Sequence, residues 1–298
     1  MNGKQISYLE ASARKRLSGM VDAGSFSEFC PPEMRQTSPH LALLDAPLAF
    51  DDGVVVGRAT LEGLPILVAA QEGRFNGGAV GEVHGAKIRG LLDKALIERP
   101  AAVLLLVDSG GVRLHEANAG LIAISEIMRA VLGVQAAGIP VFAFVGGSCG
   151  AFGGMGIVTR LCTEVVMSEQ GRLGLSGPEV IETVKGVDEF DSRDRALVWR
   201  ITGGKLRRAL GEATLLVDDL IPAFRAAASD LIARYRVNPL VPADVDEMFK
   251  AHAKLAERST HFADARDGKE IWLATFAEAS RVPDMTVAEF NAKLGVKV

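Results

Sequence analysis

Cysteine is scarce in this chain: Cys30, Cys149 and Cys162 are the only three in 298 residues, and no two stand at CxxC spacing. The five histidines, at 40, 84, 115, 252 and 261, include no HxxxH pair. Neither a disulfide framework nor a zinc site is encoded locally, and a reducing cytoplasm is the expected setting. A basic excess is missing as well: 33 Lys and Arg against 37 Asp and Glu leave a net charge of −4, with the two signs interspersed. That argues against a nucleic-acid footprint and against a polybasic membrane patch. The opening MNGKQISYLEASARKR lacks the apolar core of an export signal.

Charge itself disappears between Arg129 and Arg160, a stretch long enough to be mistaken for a membrane span. Pro140 and the glycines inside it would leave backbone groups unbonded in lipid, so the expected reading is a soluble core. Within it, PVFAFVGGSCGAFGGMG (140–156) packs six glycines into the eleven residues from Gly146 to Gly156. Such a loss of side chains is tolerated mainly where backbone must approach a ligand or another backbone.

In chain order, Ser7-Tyr8-Leu9-Glu10 reads as a capping box opening a helix with Leu9, Ala13, Leu17 and Met20 on one face, and Arg14, Lys15 and Arg16 directed elsewhere. Segment 30–50, with four prolines, reads as an irregular connector, and VVVGRATL (54–61) with PILVAAQ (65–71) as a hairpin. A small-residue turn (74–81) leads to a helix ended by Arg99-Pro100. AVLLLVD (102–108) is an apolar run of the kind buried on both sheet faces, ending in Ser109-Gly110-Gly111 before a long helix to Ala137. VFAFV, the glycine turn, a helix through 154–162 and strand EVVMS (164–168) repeat that unit. Pro178 opens a short helix, 186–212 reads as charged and mobile, 213–219 as a strand and 220–235 as an amphipathic helix. A boundary at Asn238–Pro242 separates a domain over 1–240 from a helical extension over 241–298, where Thr286 to Glu289 forms another capping box.

Two successive strand-turn-helix units thus carry glycines at the strand's carboxyl end, where parallel α/β sheets bind ligands. A nucleotide loop fits poorly, since neither GxGxxG in 146–156 nor a complete P-loop around Lys205 is present. Gly146-Gly147-Ser148-Cys149-Gly150 spells G-x-S-x-G, so a serine hydrolase is open, with Asp188 or Asp218 and His252 or His261 in suitable order. Backbone catalysis is the third possibility: paired glycine N–H groups at strand ends form an oxyanion hole. A non-catalytic scaffold subunit is the fourth. Arg113 is placed to pair with substrate or with Glu116, and Lys205, Arg207 and Arg208 either meet an acidic carrier protein or form a solvated helix face.

Residues 54–88, LLLVDSGGVRLHEA (104–117), the 140–156 turn and GLSGPEVIETV (174–184), in this order, resemble the acyl-CoA carboxyltransferase β-type subunits of the crotonase-like superfamily. Within them, FCPPEMRQTSPHLALLDAPLAFDDGVVVGRA (29–59) adds likeness to the malonate decarboxylase β branch, and the resemblance spans roughly 5–235. It implies an α/β fold built as a spiral of repeated ββα units with flanking helices, and a homologous γ subunit that completes the active site. It also implies a malonyl thioester on an acyl carrier protein, decarboxylated to the acetyl thioester. No cofactor or metal is expected on this chain, the phosphopantetheine-type thioester arriving on the carrier. Family oxyanion positions fall on Gly110, Gly111, Gly153 and Gly154, and substrate contacts on Gly150, Ala151 and Arg113. The zinc ribbon of many bacterial relatives and a Met-Lys biotinyl site are both missing, so any biotin acceptor for a carboxyltransferase reaction sits on another chain.

Overall fold

The computed structural model describes residues 6–43, 53–276 and 278–294. The apolar runs form one seven-stranded sheet whose spatial order follows the sequence. Its strands are β1 (Ser27–Phe29), β2 (Val54–Leu61), β3 (Leu64–Gln71), β4 (Ala102–Val107), β5 (Val141–Val145), β6 (Glu164–Ser168) and β7 (Leu215–Val217). β1 to β3 pair antiparallel, and β3 to β7 are parallel. The β2–β3 hairpin turns on Glu62 and Gly63, both at positive φ, as a two-residue turn of this hand requires.

The helices are α1 (Ala13–Met20), α2 (Pro39–Leu43), α3 (Glu82–Glu98), α4 (Ala119–Ala136), α5 (Gly153–Leu161) and α6 (Pro178–Lys185). After them come α7 (Arg195–Thr202), α8 (Gly204–Ala209), α9 (Ile221–Val237), α10 (Val245–His261), α11 (Gly268–Thr275) and α12 (Val287–Lys293). Every residue of β4 and β5 is buried because helices cover both sheet faces. Alternation sends Val103, Leu105 and Val107 into the cluster with α3 and α4, and Leu104 and Leu106 into the cluster with α1 and α9. Trp272, Phe276, Val282 and Phe290 belong to the first of these clusters, so the segment carrying α11 and α12 packs on the sheet's own core. By contrast, α10 buries none of its residues.

A second, rudimentary ladder crosses the carboxyl ends of the strands. Single parallel bridges join Val80 to Val112, Ser109 to Ala151, and Ala151 to Leu173. Each strand-turn-helix unit therefore contributes a short extended piece beyond its main strand, the ββα repeat that the fold expectation named.

Three local expectations are corrected. The first helix starts at Ala13 under a Ser12 cap. Ser7 does receive the Glu10 N–H at 3.2 Å, but its hydroxyl donates to Asp219 at 2.5 Å, so a partner from the far end of the chain fixes that segment outside the helix. Arg16 does not point outward: it is 2% exposed. Segment 186–212 holds α7 and α8, and Lys205 is fully buried. Its ammonium donates to the carbonyls of Val282, Pro283 and Met285 and pairs with Glu169, while Arg207 pairs with Glu212. Neither a carrier-protein patch nor a solvated face describes these side chains. The capping box at Thr286 and Glu289 forms as expected. The connector expected over 30–50 contains a single turn at Pro32–Met34 and α2, and its part from 44 on lies outside the described residues.

Candidate active site

The two glycine turns meet. Ser109 N–H donates to the Gly150 carbonyl at 2.7 Å, and Phe152 N–H donates back to the Ser109 carbonyl at 2.9 Å. A methyl group on Gly153 would sit 3.2 Å from the Gly111 Cα. Gly153 has φ +56, a left-handed conformation natural to glycine, and it starts α5. The third turn backs the second: Ala151 N–H donates to the Arg172 carbonyl at 2.8 Å, and Gly174 N–H to the Ala151 carbonyl at 3.1 Å.

This packing sorts the expected donors. Gly110 N–H is held by the Gly77 carbonyl at 2.8 Å, and Gly153 N–H by the Leu175 carbonyl at 2.8 Å. Among the described residues, Gly111 N–H meets only the Ser109 hydroxyl of its own turn, at 3.3 Å. Gly154 lies in the first turn of α5, where N–H groups have no partner within the helix, and no acceptor faces it among the described residues. The N-terminal end of α5 adds partial positive charge there. Gly111 and Gly154 are both partly exposed.

The residues expected to contact substrate are tied into the turns by their own hydrogen bonds. Gly150 and Ala151 are buried, and their N–H groups go to Gly147 and Arg172. Arg113 is 6% exposed. Its guanidinium donates to the Ala79 carbonyl at 3.0 Å and to Glu116 at 3.0 Å, and lies over the Phe75 ring. The pairing of Arg113 with Glu116 that the sequence left open is formed. Glu116 in turn accepts the first N–H of α3, at Glu82, at 2.6 Å.

Ser148 lacks the setting of a nucleophile. A nucleophile elbow strains its serine on a sharp turn straight into a helix. Here Ser148 is not among the residues at positive φ, and α5 begins five residues later. His252 and His261 ride on α10, which buries nothing. The neighbouring Cys149 thiol is pushed up from its ordinary value by burial and by the Asp108 carboxylate, which keeps it protonated and poorly nucleophilic.

Asp108 and Arg16 form a fully buried ion pair behind both turns, Arg16 Nη1 to Asp108 Oδ2 at 2.7 Å, that the sequence reading did not assign. The spacing 13, 16, 17, 20 was the available signal: it puts Arg16 on the apolar face of α1 with Ala13, Leu17 and Met20.

Turns joined in this way at the carboxyl ends of successive ββα units belong to a crotonase-like fold. The chain belongs to the carboxyl transferase family, whose domain it matches over residues 9–199. Within that family it falls with the malonate decarboxylase branch. It is 38% identical to the malonyl-S-ACP:biotin-protein carboxyltransferase of Malonomonas rubra, over 96% of this chain and 95% of that one. It superposes with a TM-score of 0.76 and 36% identity on a chain of a Pseudomonas malonate decarboxylase hetero-tetramer solved with malonate, covering 97% of this chain and 98% of the other. A chain of the Pseudomonas malonate decarboxylase hetero-dimer matches with a TM-score of 0.66. The methylmalonyl-CoA carboxyltransferase 12S subunit of Propionibacterium freudenreichii subsp. shermanii is 31% identical, over 62% of this chain and 34% of its own length. The likeness to the Malonomonas protein thus extends past the span from 5 to 235 that the motifs suggested.

Proposed function

We propose that this chain is the β-type subunit of a malonate decarboxylase, acting on a malonyl thioester carried by the phosphopantetheine arm of an acyl carrier protein. The observation that carries the reading is the meeting of Gly111 and Gly153, which leaves the Gly111 and Gly154 N–H groups as the site's available donors. In this role the thioester oxygen lies against both donors. As the bond between the α-carbon and the carboxylate breaks, its electron pair moves into the thioester, and the oxygen takes the negative charge. Fixed donors matter most at that moment, each typically contributing ~10²–10³ in rate. Carbon dioxide leaves neutral, and protonation of the enolate carbon gives the acetyl thioester. Gly110 and Gly153, with their N–H groups engaged, hold the turns in place.

A second subunit fits the surface around the site. Leu114, Leu175 and Val184 are 83%, 67% and 79% exposed, more apolar surface than a solvent-facing rim calls for. A homologous γ subunit is the partner we assign, with the carrier protein delivering substrate at the junction and no cofactor held by this chain. The cytoplasm is the setting we assign, where its free cysteines stay reduced.

A transfer reaction is the alternative that one observation favours, because the Malonomonas relative carries biotin protein in its name. The two differ in the fate of the carboxyl group. The assembled complex is to be given a malonyl thioester labelled in the free carboxyl, with and without a biotin protein. Label released as CO2 without biotin supports decarboxylation; label found on biotin, with no release in its absence, replaces that reading by carboxyl transfer.

Ser148→Ala is expected to turn over within about threefold of the unmodified complex, because the donors are backbone. Complete loss in an assembled, folded variant would return the hydroxyl to the centre of the chemistry.

A further inference from the structure

Asp108 occupies an unusual position between the two turns. Its main chain directly follows β4 and leads into Ser109-Gly110-Gly111, while its carboxylate reaches across to the other turn, where Oδ1 accepts the Cys149 N–H at 2.7 Å. The carboxylate is 1% exposed and has been given room. A Cβ on Gly147 would lie 2.2 Å from Asp108 Cγ, and one on Gly73 would lie 2.6 Å from Oδ2. Two of the chain's glycines therefore exist beside this one side chain.

Behind it, Arg16 is immobilised by three acceptors: the Tyr8 carbonyl at 2.8 Å, the Leu9 carbonyl at 3.2 Å and Asp108 Oδ2 at 2.7 Å. Asp108 N–H donates to the Gln71 amide oxygen at 3.3 Å, and that amide also meets His84 at 2.9 Å. Arg16 of α1 thus fixes the carboxylate, while Gln71 of β3 holds the main chain from which it projects. A charged acceptor holds a backbone N–H roughly twice as strongly as a neutral one.

We propose that Asp108 is a positioning residue for the reaction: its carboxylate, steadied by Arg16, pins the Cys149 amide and so fixes the second glycine turn against the first. The inference rests on the proposed oxyanion role of Gly111 and Gly154. It assigns the register between them to an ion pair that contacts no substrate. A displacement of about 1 Å between groups that must act together can cost ~10² in rate.

The test uses Asp108→Asn, and Arg16→Gln with Asp108→Asn as a neutral pair that leaves no buried charge alone, both in the assembled complex. Three readouts are needed: kcat and KM for CO2 release or carboxyl transfer, the folded fraction from the thermal transition, and amide hydrogen exchange over 146–152. Expected for both variants is a kcat lower by about 10²-fold per folded enzyme, with KM within about threefold. Exchange at 146–152 should rise while β4 and β5 stay protected. Unchanged exchange there, or a kcat per folded enzyme equal to that of the unmodified complex, overturns the inference. If the unmodified complex processes no malonyl thioester, the functional reading fails, and the exchange measurement still decides whether Asp108 pins the turn.

Discussion

Gly153→Val is expected to abolish turnover, by ~10³-fold or more, in a chain that still folds and joins its partner. Two physical effects combine at this position. A β-branched residue at φ +56 is a backbone outlier, and the left-handed region costs a side-chain-bearing residue roughly 1–2 kcal/mol. The added carbons also enter the gap to Gly111, whose Cα would be 3.2 Å from the new Cβ. The turns would be forced apart where the two available donors must converge. Gly63→Ala separates the effects, since Gly63 has φ +73 with nothing within 4 Å of a new Cβ. It should lower stability by about 1–2 kcal/mol and leave turnover per folded molecule unchanged. Steady-state rates on the assembled complexes, normalised by the thermal transition, check both. Retained turnover in Gly153→Val would dismiss the convergence of the turns as the source of catalysis.

Lys205→Ala is expected to produce the largest loss of stability of any change considered, roughly 3–5 kcal/mol, comparable to removing one partner from a buried charge pair. The buried ammonium serves three carbonyls, those of Val282, Pro283 and Met285, and the Glu169 carboxylate at 3.1 Å. Alanine leaves these acceptors unsatisfied, each at a cost of about 1–3 kcal/mol, with water reaching Glu169 more easily than the carbonyls. The melting temperature should fall by about 10 °C in a chain of this size. Limited proteolysis should cut first between α10 and α12, because Lys205 hydrogen-bonds the 282–285 turn to α8. An unchanged melting temperature with intact α11 and α12 would mean that the carbonyls are satisfied in some other way.

Much of the sheet was legible because its strands are unbroken apolar runs whose lengths match their structure. Residues 102–107 and 141–145 need no partner information to be recognised as strands buried on both faces. Two misreadings share one cause. Arg16 and Lys205 are charged, and charge in a helix ordinarily faces water. The carboxylate that pairs with Arg16 lies 92 residues on, and the carbonyls that receive Lys205 lie 77 to 80 residues on, where helical periodicity carries no information. The site divided in the same way. Clustered glycines after successive strands announced paired turns, but which N–H groups remain available depends on the Gly77 and Leu175 carbonyls. Those are supplied by neighbouring repeats, so sequence alone located the turns and left the register of their donors open.

The single bridges from Val80 to Val112 and from Ser109 through Ala151 to Leu173 have a consequence for how such a chain can diversify. They chain the turns at the carboxyl ends of the strands, so an inserted residue in one turn shifts its neighbours as well. The connections at the opposite ends, such as Arg99-Pro100 before β4 and Gly138-Pro140 before β5, carry no such bridges among the described residues. Length variation between descendants of this architecture should therefore collect at the amino ends of the strands, leaving the carboxyl-end turns nearly constant in length while their side chains change.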